Sequence, residues 1–190
     1  MVLILVENLI YEYENFIAFL LFFFFLSISK NVCWNITGDF YSSAPLEDIS
    51  AISNKLEGVV DFETGDFFFR IPINSFIFPS SLMQQHFNEK YMESDLYSIS
   101  SLKGNFKEKI KLSQNQSADI KAIGVLNMHG VNQDFLIDTY LNVEDNQVQF
   151  HASFNVLLKD FKIKVPKIVR MNIADTILVN VSGNLITKSK

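Results

Sequence analysis

Cysteine is nearly absent from this sequence, and the shortage excludes two kinds of site. Cys33 is the single cysteine of the 190-residue chain. The chain therefore cannot form an internal disulfide or a zinc site built from several thiolates. The three histidines, His86, His129 and His151, have spacings that match no metal motif, and no paired carboxylate accompanies them. We predict no metal site and no cofactor.

A net positive charge is also lacking. The formal net charge of the chain is −5, whereas a nucleic-acid-binding surface needs lysine and arginine gathered on one face. The lysines between Lys103 and Lys111 alternate with apolar or acidic residues, a pattern typical of the solvent-exposed face of a strand. The sequence therefore predicts no nucleic-acid partner.

Common catalytic motifs are missing as well. The sequence has no Gly-x-Ser-x-Gly, no Gly-x-Gly-x-x-Gly and no phosphate-binding loop. His86-Phe-Asn-Glu89 is not a zinc-protease motif. An isolated imidazole in a turn, such as His129 before Gly130, more often bonds backbone than ligates a metal. We predict that the protein is not an enzyme and assign no catalytic residue. A site built on His86, His129 or Glu89 is the weakest alternative.

Glycine is scarce and phenylalanine abundant, at 7 and 19 residues respectively. Many aromatic residues with few glycines suit a β-barrel whose interior is packed or lined with large apolar side chains. The length corresponds to one domain. Composition alone therefore favours an all-β fold with an apolar interior.

The first residues resemble a leader more than a part of the fold. Phe16 to Leu26 is an unbroken apolar run of signal-peptide length, too short to span a bilayer comfortably. Ser27-Ile28-Ser29 offers the small residues that a signal peptidase reads, although three glutamates precede the run where a signal peptide is basic. We expect residues 1–29 to be a signal peptide or an uncleaved N-terminal anchor, unless the start is placed too early. The protein is then expected to be periplasmic or secreted.

Alternating apolar and polar residues dominate the chain after this leader and predict half-buried strands. Short turns join most of them, which predicts an antiparallel meander closed into a barrel of about eight strands. Residues 44–54 are an exception, because Leu46, Ile49 and Ile52 recur every three residues and suggest a helical turn or two. The predicted strands are 35–43, 55–62, 67–78, 96–112, 119–128, 134–143, 148–156 and 175–186.

One stretch, from Ser75 to Gly104, breaks the alternation. Ser81 is the predicted N-cap of a short helix, with Gln84 completing a capping box. A helix in an otherwise all-β chain suits the closure of one end of a barrel. The residues that fall near one face of this helix are Leu82, Met83, Phe87 and Tyr91.

The predicted interior has two interpretations. Its inward faces combine phenylalanines with small residues such as Ala122, Gly124 and Ala152. In a small barrel, side chains fill the interior. Alternatively, the small residues leave room for an apolar ligand. Composition does not separate the two.

Three blocks of sequence stand out: Ser75-Phe-Ile-Phe78 with Met83-Gln-Gln-His-Phe-Asn-Glu-Lys-Tyr-Met-Glu-Ser94 and Leu102-Lys-Gly104; Gly124-Val-Leu-Asn-Met-His-Gly-Val131; and Val156-Leu-Leu-Lys-Asp-Phe-Lys-Ile163 followed by Pro166. Taken together and in this order, the blocks resemble the YceI-like family of bacterial lipocalin-like proteins. The match covers residues 35–188, with two departures: Ser98 follows Tyr97 where the family often has proline, and the leader is acidic.

The resemblance implies an antiparallel, lipocalin-like β-barrel that is exported and encloses a polyisoprenoid or a similar amphiphile, such as an isoprenoid quinone. The helix would be a lid and the membrane a source of the lipid. The oligomeric state, monomer or homodimer, stays open. The alternative is a ligand-free envelope-stress or interaction protein with a filled barrel. From the faces of the predicted elements, the candidate ligand-binding residues are Phe67, Phe69, Ile71, Leu82, Met83, Phe87, Ile120, Ala122, Leu126, Phe135, Ile137, Phe150, Ala152, Phe154, Ile177 and Val179.

Overall fold

A computed structural model describes residues 31–111, 115–145 and 147–187 of the chain. The predicted leader, residues 1–29, lies outside the described residues. Among the helices within the described ranges, none has the length and hydrophobicity needed to cross a membrane.

The described part of the chain contains nine strands, against about eight predicted, and every neighbouring pair is antiparallel. The all-β antiparallel fold class is thereby confirmed. The strands are β1 (Asn31–Ser43), β2 (Asp48–Ser53), β3 (Glu57–Val60), β4 (Asp66–Pro72), β5 (Ile99–Phe106), β6 (Gln116–Met128), β7 (Val131–Glu144), β8 (Gln147–Leu157) and β9 (Thr176–Thr187).

The sheet curls until its ends meet. Strands β3 to β9 pair consecutively, and β1 pairs with both β3 and β9, so these eight strands form a ring. β2 is the additional strand and pairs with β1 from Gly38 to Ser43. Closure satisfies the backbone groups that would otherwise remain unpaired at sheet edges.

The strong alternation of β6, β7 and β8 is reproduced in their burial. Every second residue is buried or half-buried and its neighbours are largely exposed, as predicted. The turn between β6 and β7 is His129–Gly130, and both residues have positive φ, 51° and 70°. Two consecutive positive φ angles define the hairpin turn whose twist matches the flanking strands.

The helical turn predicted within residues 44–54 is wrong, because this segment contains β2. Leu46 and Ile52 are 70% and 44% exposed, so their spacing does not mark a buried helical face. Ala51 and Ser53 are buried instead, at the period-two spacing of a strand. The extended partner β1, reached through a short turn, offers the segment a ladder of backbone hydrogen bonds.

Two long predicted strands end at least six residues early. β4 stops at Pro72 rather than Phe78, because the chain enters a 3-10 turn at Ile73–Ser75. Beyond this turn, Ile77 forms an isolated antiparallel β-bridge with β2. β5 stops at Phe106, so the lysines at 107, 109 and 111 follow the strand instead of marking its outer face.

A single α-helix lies in the described ranges: α1, Ser81–His86, which continues into a π-helical turn, Phe87–Tyr91. Its N-cap is Ser80, one residue before the predicted Ser81. The Ser80 hydroxyl accepts the Met83 N–H at 3.4 Å. Gln84 forms no capping box, because its Oε1 accepts the Phe78 N–H at 3.3 Å and so fixes the entry to the helix.

Glycines on the strands accommodate phenylalanine rings rather than a ligand. A Cβ on Gly104 would lie 2.5 Å from the ring of Phe67 and 2.3 Å from the carbonyl oxygen of Ile123. The same ring would be 3.4 Å from a Cβ on Gly124. Gly124 therefore makes room for this ring, and the alternative in which it leaves space for a ligand does not hold at this position. Comparable cross-strand pairs are Gly58 with Phe69 and Gly183 with Phe150.

Candidate functional site

A cavity of about 430 Å³ occupies one half of the barrel interior. Its walls are the later halves of β1, β4, β6 and β8 and the first halves of β5 and β9. Helix α1 and the long connection between β8 and β9 cover this end. The residues that these strands direct into the cavity include Phe40, Ile71, Leu102, Leu126, Phe154, Ile177, Val179 and Val181.

The helix contributes one face to the cavity. Met83, Phe87 and Tyr91 line it at spacings of four residues, as predicted for a lid, and His86 lies beside them. Leu82 was also expected to face the interior, and this is wrong: it is 59% exposed and lines neither interior cavity. Successive helical residues are rotated by about 100°, so Leu82 points away when Met83 points inward.

Four phenylalanine rings hold the helix against the barrel wall. Phe87, from the π-helical turn, stacks on Phe40 of β1 with ring centroids 5.5 Å apart. Its ring also contacts Phe78 at 4.9 Å and Phe76 at 5.7 Å. Sequence analysis missed Phe40, Phe76 and Phe78. The aromatic alternation in the 76–79 stretch, Phe-Ile-Phe-Pro, was the available signal.

The other half of the barrel is filled. Among the described residues there, a space of about 60 Å³ lies between rings that include Phe62, Phe106 and Phe150. Four residues line both spaces and form a partition between them: Phe69, Leu102, Phe154 and Val181. The interior is thus hollow at the helix end and packed at the other, and the small residues Ala122 and Ala152 line the packed half.

The sixteen candidate ligand-binding residues divide accordingly. Phe135 lines neither space, because its ring packs against Phe154 and Phe161. The eight that line the larger cavity are Phe69, Ile71, Met83, Phe87, Leu126, Phe154, Ile177 and Val179. The six that reach only the smaller space are Phe67, Ile120, Ala122, Ile137, Phe150 and Ala152.

The connection from β8 to β9 contributes lining residues that sequence analysis left unassigned. Leu158, Ile163, Val169 and Ile173 border the cavity. This connection has no regular period, because 3-10 turns at Leu158–Phe161 and Lys167–Val169 interrupt it. Its inward residues therefore carried no alternation signal.

Polar groups that border the cavity are largely engaged with other protein groups. Asp39 accepts a hydrogen bond from Asn180 at 2.9 Å, and Glu47 accepts one from Asn172 at 3.1 Å. Arg70 pairs with Glu57 at 2.7 Å. Burial raises the pKa of the Tyr91 phenol, so this side chain borders the cavity as a neutral group. The lining offered to a ligand is therefore predominantly apolar.

His129 ties together the two elements that cover the cavity. Its Nδ1 lies 2.9 Å from the carbonyl oxygen of Phe161 in the connection, and its Nε2 lies 2.9 Å from Glu93, just after the helix. The Tyr97 ring packs against the imidazole at 4.5 Å. The ring bonds backbone, as predicted, and it does not line the cavity. These contacts join the connection after β8 to the end of the helix.

The other two histidines, His86 and His151, have different surroundings. His86 borders the cavity, with its Nε2 3.1 Å from the Lys90 amine. His151 is exposed on β8. Among the residues that the structure describes, no three histidine, cysteine, aspartate or glutamate side chains come together in a metal-binding group.

A comparison with protein families identifies the fold. The sequence matches the family model of the YceI-like domain over residues 35–185. The chain belongs to the YceI-like family. The resemblance of the three sequence blocks is thereby confirmed, and the residues of the first two blocks include helix α1 and the His129 turn. No protein with a curated description matches the sequence significantly.

Solved structures share the YceI-like barrel at low sequence identity. A polyisoprenoid-binding domain from Saccharophagus degradans has a TM-score of 0.70 and 12% identity, covering 83% of this chain and 98% of its own. BcnA from Burkholderia cenocepacia has a TM-score of 0.67 and 12% identity, with coverages of 80% and 96%. The YceI protein of Campylobacter jejuni has a TM-score of 0.53 and 16% identity, with coverages of 71% and 82%. These likenesses establish the fold alone.

Proposed function

We propose that this protein is a binding protein, not an enzyme, for a lipid with an isoprenoid tail, such as an isoprenoid quinone. The observation that carries the proposal is the apolar cavity of about 430 Å³ beneath the helix. Ligand-binding pockets begin at roughly 300 Å³. A YceI-like neighbour described as a polyisoprenoid-binding domain supports the choice of ligand class.

Burial of the tail would supply most of the affinity. Removing one methylene from water contributes about 0.8 kcal/mol, and the cavity wall is built from side chains such as Ile71, Ile177 and Val179. Because Asp39, Glu47 and Arg70 already bond other protein groups, few polar groups are free to select a head group. We expect loose selectivity for the head group.

Obstruction of the cavity is expected to abolish lipid uptake. In Val179→Trp, the indole would enter the cavity that Val179 borders. We expect the affinity for a short-tailed quinone, measured by calorimetry on delipidated protein, to fall by more than about tenfold, since several methylenes would be displaced. Leu178→Trp is the matched control, because Leu178 lies next along β9 with its side chain 37% exposed. Equal affinities of the two variants would contradict the assignment of the cavity.

The alternative is a ligand-free interaction protein, and the packed half of the barrel is the observation in its favour. Mass spectrometry of an organic extract of the purified wild-type protein separates the two functions. We expect an isoprenoid-tailed lipid in the extract, or uptake of added quinone by the extracted protein. Absence of both would favour the ligand-free function.

We further propose that the domain is exported, on the basis of the apolar run from Phe16 to Leu26. Export would bring the cavity close to membrane lipids. N-terminal sequencing of the protein from its native cell is expected to give a mature start near Lys30. Recovery of intact Met1 from the cytosolic fraction would refute export without affecting the assignment of the cavity.

A further inference from the structure

A basic segment covers the hollow end of the barrel. Residues 159–170 contain five cationic side chains and one acidic side chain, a formal charge of +4 in a chain whose total is −5. All five cations are exposed, and within the described residues none of them forms an ion pair. They are Lys159, Lys162, Lys164, Lys167 and Arg170.

Three large apolar side chains project from the same region. Ile168 is 90% exposed, Leu46 is 70% exposed and Met171 is 50% exposed. Leu46 lies on the β1–β2 loop, and its N–H donates to the carbonyl oxygen of Met171 at 2.8 Å. A single exposed apolar residue is ordinary. Three on two hydrogen-bonded loops, beside unpaired cations, form a candidate contact surface.

The same two loops also close the cavity. Val169, Asn172 and Ile173 border it from the connection, and Glu47 borders it from the β1–β2 loop. Asn172 donates to Glu47 at 3.1 Å and so links the loops from the inner side. Ile168 and Val169 are adjacent in sequence, yet one points to solvent and the other to the cavity. Contact at the outer side would therefore act directly on the cavity cover.

We propose that these loops dock the protein on an anionic lipid bilayer. The apolar tips, Leu46, Ile168 and Met171, would enter the interface between head groups and acyl chains. Lys164, Lys167 and Arg170 would lie near lipid phosphates, which attract clustered cations. The remainder of the chain is acidic, so an anionic surface would repel it and orient the hollow end toward the membrane. The purpose of this docking, transfer of a lipid, rests on the proposed function, but the docking itself does not.

Flotation with lipid vesicles tests the proposal. We expect the wild-type protein to float with vesicles of phosphatidylcholine and phosphatidylglycerol, to float poorly with phosphatidylcholine alone, and to be released by added salt. Lys167→Glu/Arg170→Glu is expected to lower binding by about tenfold or more. Leu46→Ser/Ile168→Ser/Met171→Ser is expected to lower binding to the same vesicles by removing the apolar contact.

Matched controls lie elsewhere on the barrel. Lys107→Glu/Lys109→Glu reverses two exposed charges that follow β5 at the packed end. Leu136→Ser removes an apolar side chain that is 60% exposed on β7. Both controls are expected to float like the wild type. The proposal would be overturned if the wild-type protein did not bind the anionic vesicles, even if it bound an acidic protein instead. Equal vesicle binding by the wild type and all variants would also overturn it.

Quinone uptake from detergent micelles, measured on the same proteins, separates this proposal from the proposed function. We expect Lys167→Glu/Arg170→Glu to take up quinone normally but to float poorly. Val179→Trp is expected to show the opposite behaviour. A wild-type protein that takes up quinone but does not float with vesicles would refute docking alone. A wild-type protein that floats but takes up no quinone would refute the lipid-binding cavity alone.

Discussion

Replacement of Phe161 by alanine is expected to lower the free energy of unfolding by about 3–5 kcal/mol. The side chain is fully buried, at 0% exposure. Its ring stacks on Phe135 with centroids 6.1 Å apart. Its carbonyl oxygen accepts the His129 hydrogen bond that joins the connection to the end of the helix. Truncation would leave a cavity beside this joint, because closely packed strands relax only partly.

Urea unfolding followed by circular dichroism measures this effect. Ile168→Ala is the matched control in the same connection, because Ile168 is 90% exposed. We expect the control to change the free energy of unfolding by no more than about 0.5 kcal/mol. If the two variants were equally stable, the view that Phe161 anchors the cover of the cavity would be wrong.

Removal of the Phe154 ring is expected to change which tail length the protein prefers. Phe154 belongs to the partition and borders both the 430 Å³ cavity and the 60 Å³ space. In Phe154→Ala the two spaces would join, so a longer tail could enter the packed half. Each further methylene buried contributes about 0.8 kcal/mol. One additional isoprenoid unit should therefore bind more than about tenfold more tightly to the variant than to the wild type.

Competition between quinones that differ only in tail length tests this expectation. Phe150→Ala is the matched control, because Phe150 lies on the same strand and borders only the smaller space. Both substitutions are expected to cost about 3–5 kcal/mol of stability. Only Phe154→Ala should alter the preference for tail length. An unchanged preference would show that the partition does not limit the length of tail that the cavity accepts. The proposal of lipid binding would not be affected, because it is tested by uptake in the wild type.

The sequence by itself determined the fold class and the inward faces of the strands. Side chains alternate across a strand, so the regular patterns around Ile120, Ile137 and Phe154 assigned their faces correctly. The ordered blocks around the lid and the His129 turn identified the YceI-like family. The backbone hydrogen bond of His129 was also predicted, because an isolated histidine commonly bonds backbone.

Local sequence patterns gave wrong or no predictions where contacts with other segments of the chain determine the structure. Residues 48–53 form a strand because β1 offers a hydrogen-bonding edge, and a three-residue spacing of apolar side chains cannot reveal that edge. The helix begins after Ser80, whose hydroxyl accepts the Met83 N–H, and Leu82 lies on its solvent side. The connection after β8 lines the cavity without any periodic signal.

Only the tertiary structure decided which part of the interior is hollow. Alternation assigns a residue to the inner face of the barrel but does not give its height along the axis. Phe67 and Ile71 share one inward face in the sequence, yet the first packs over Gly104 in the filled half and the second borders the open cavity. Cross-strand pairing sets these heights, because the register brings each ring opposite a glycine or opposite open space.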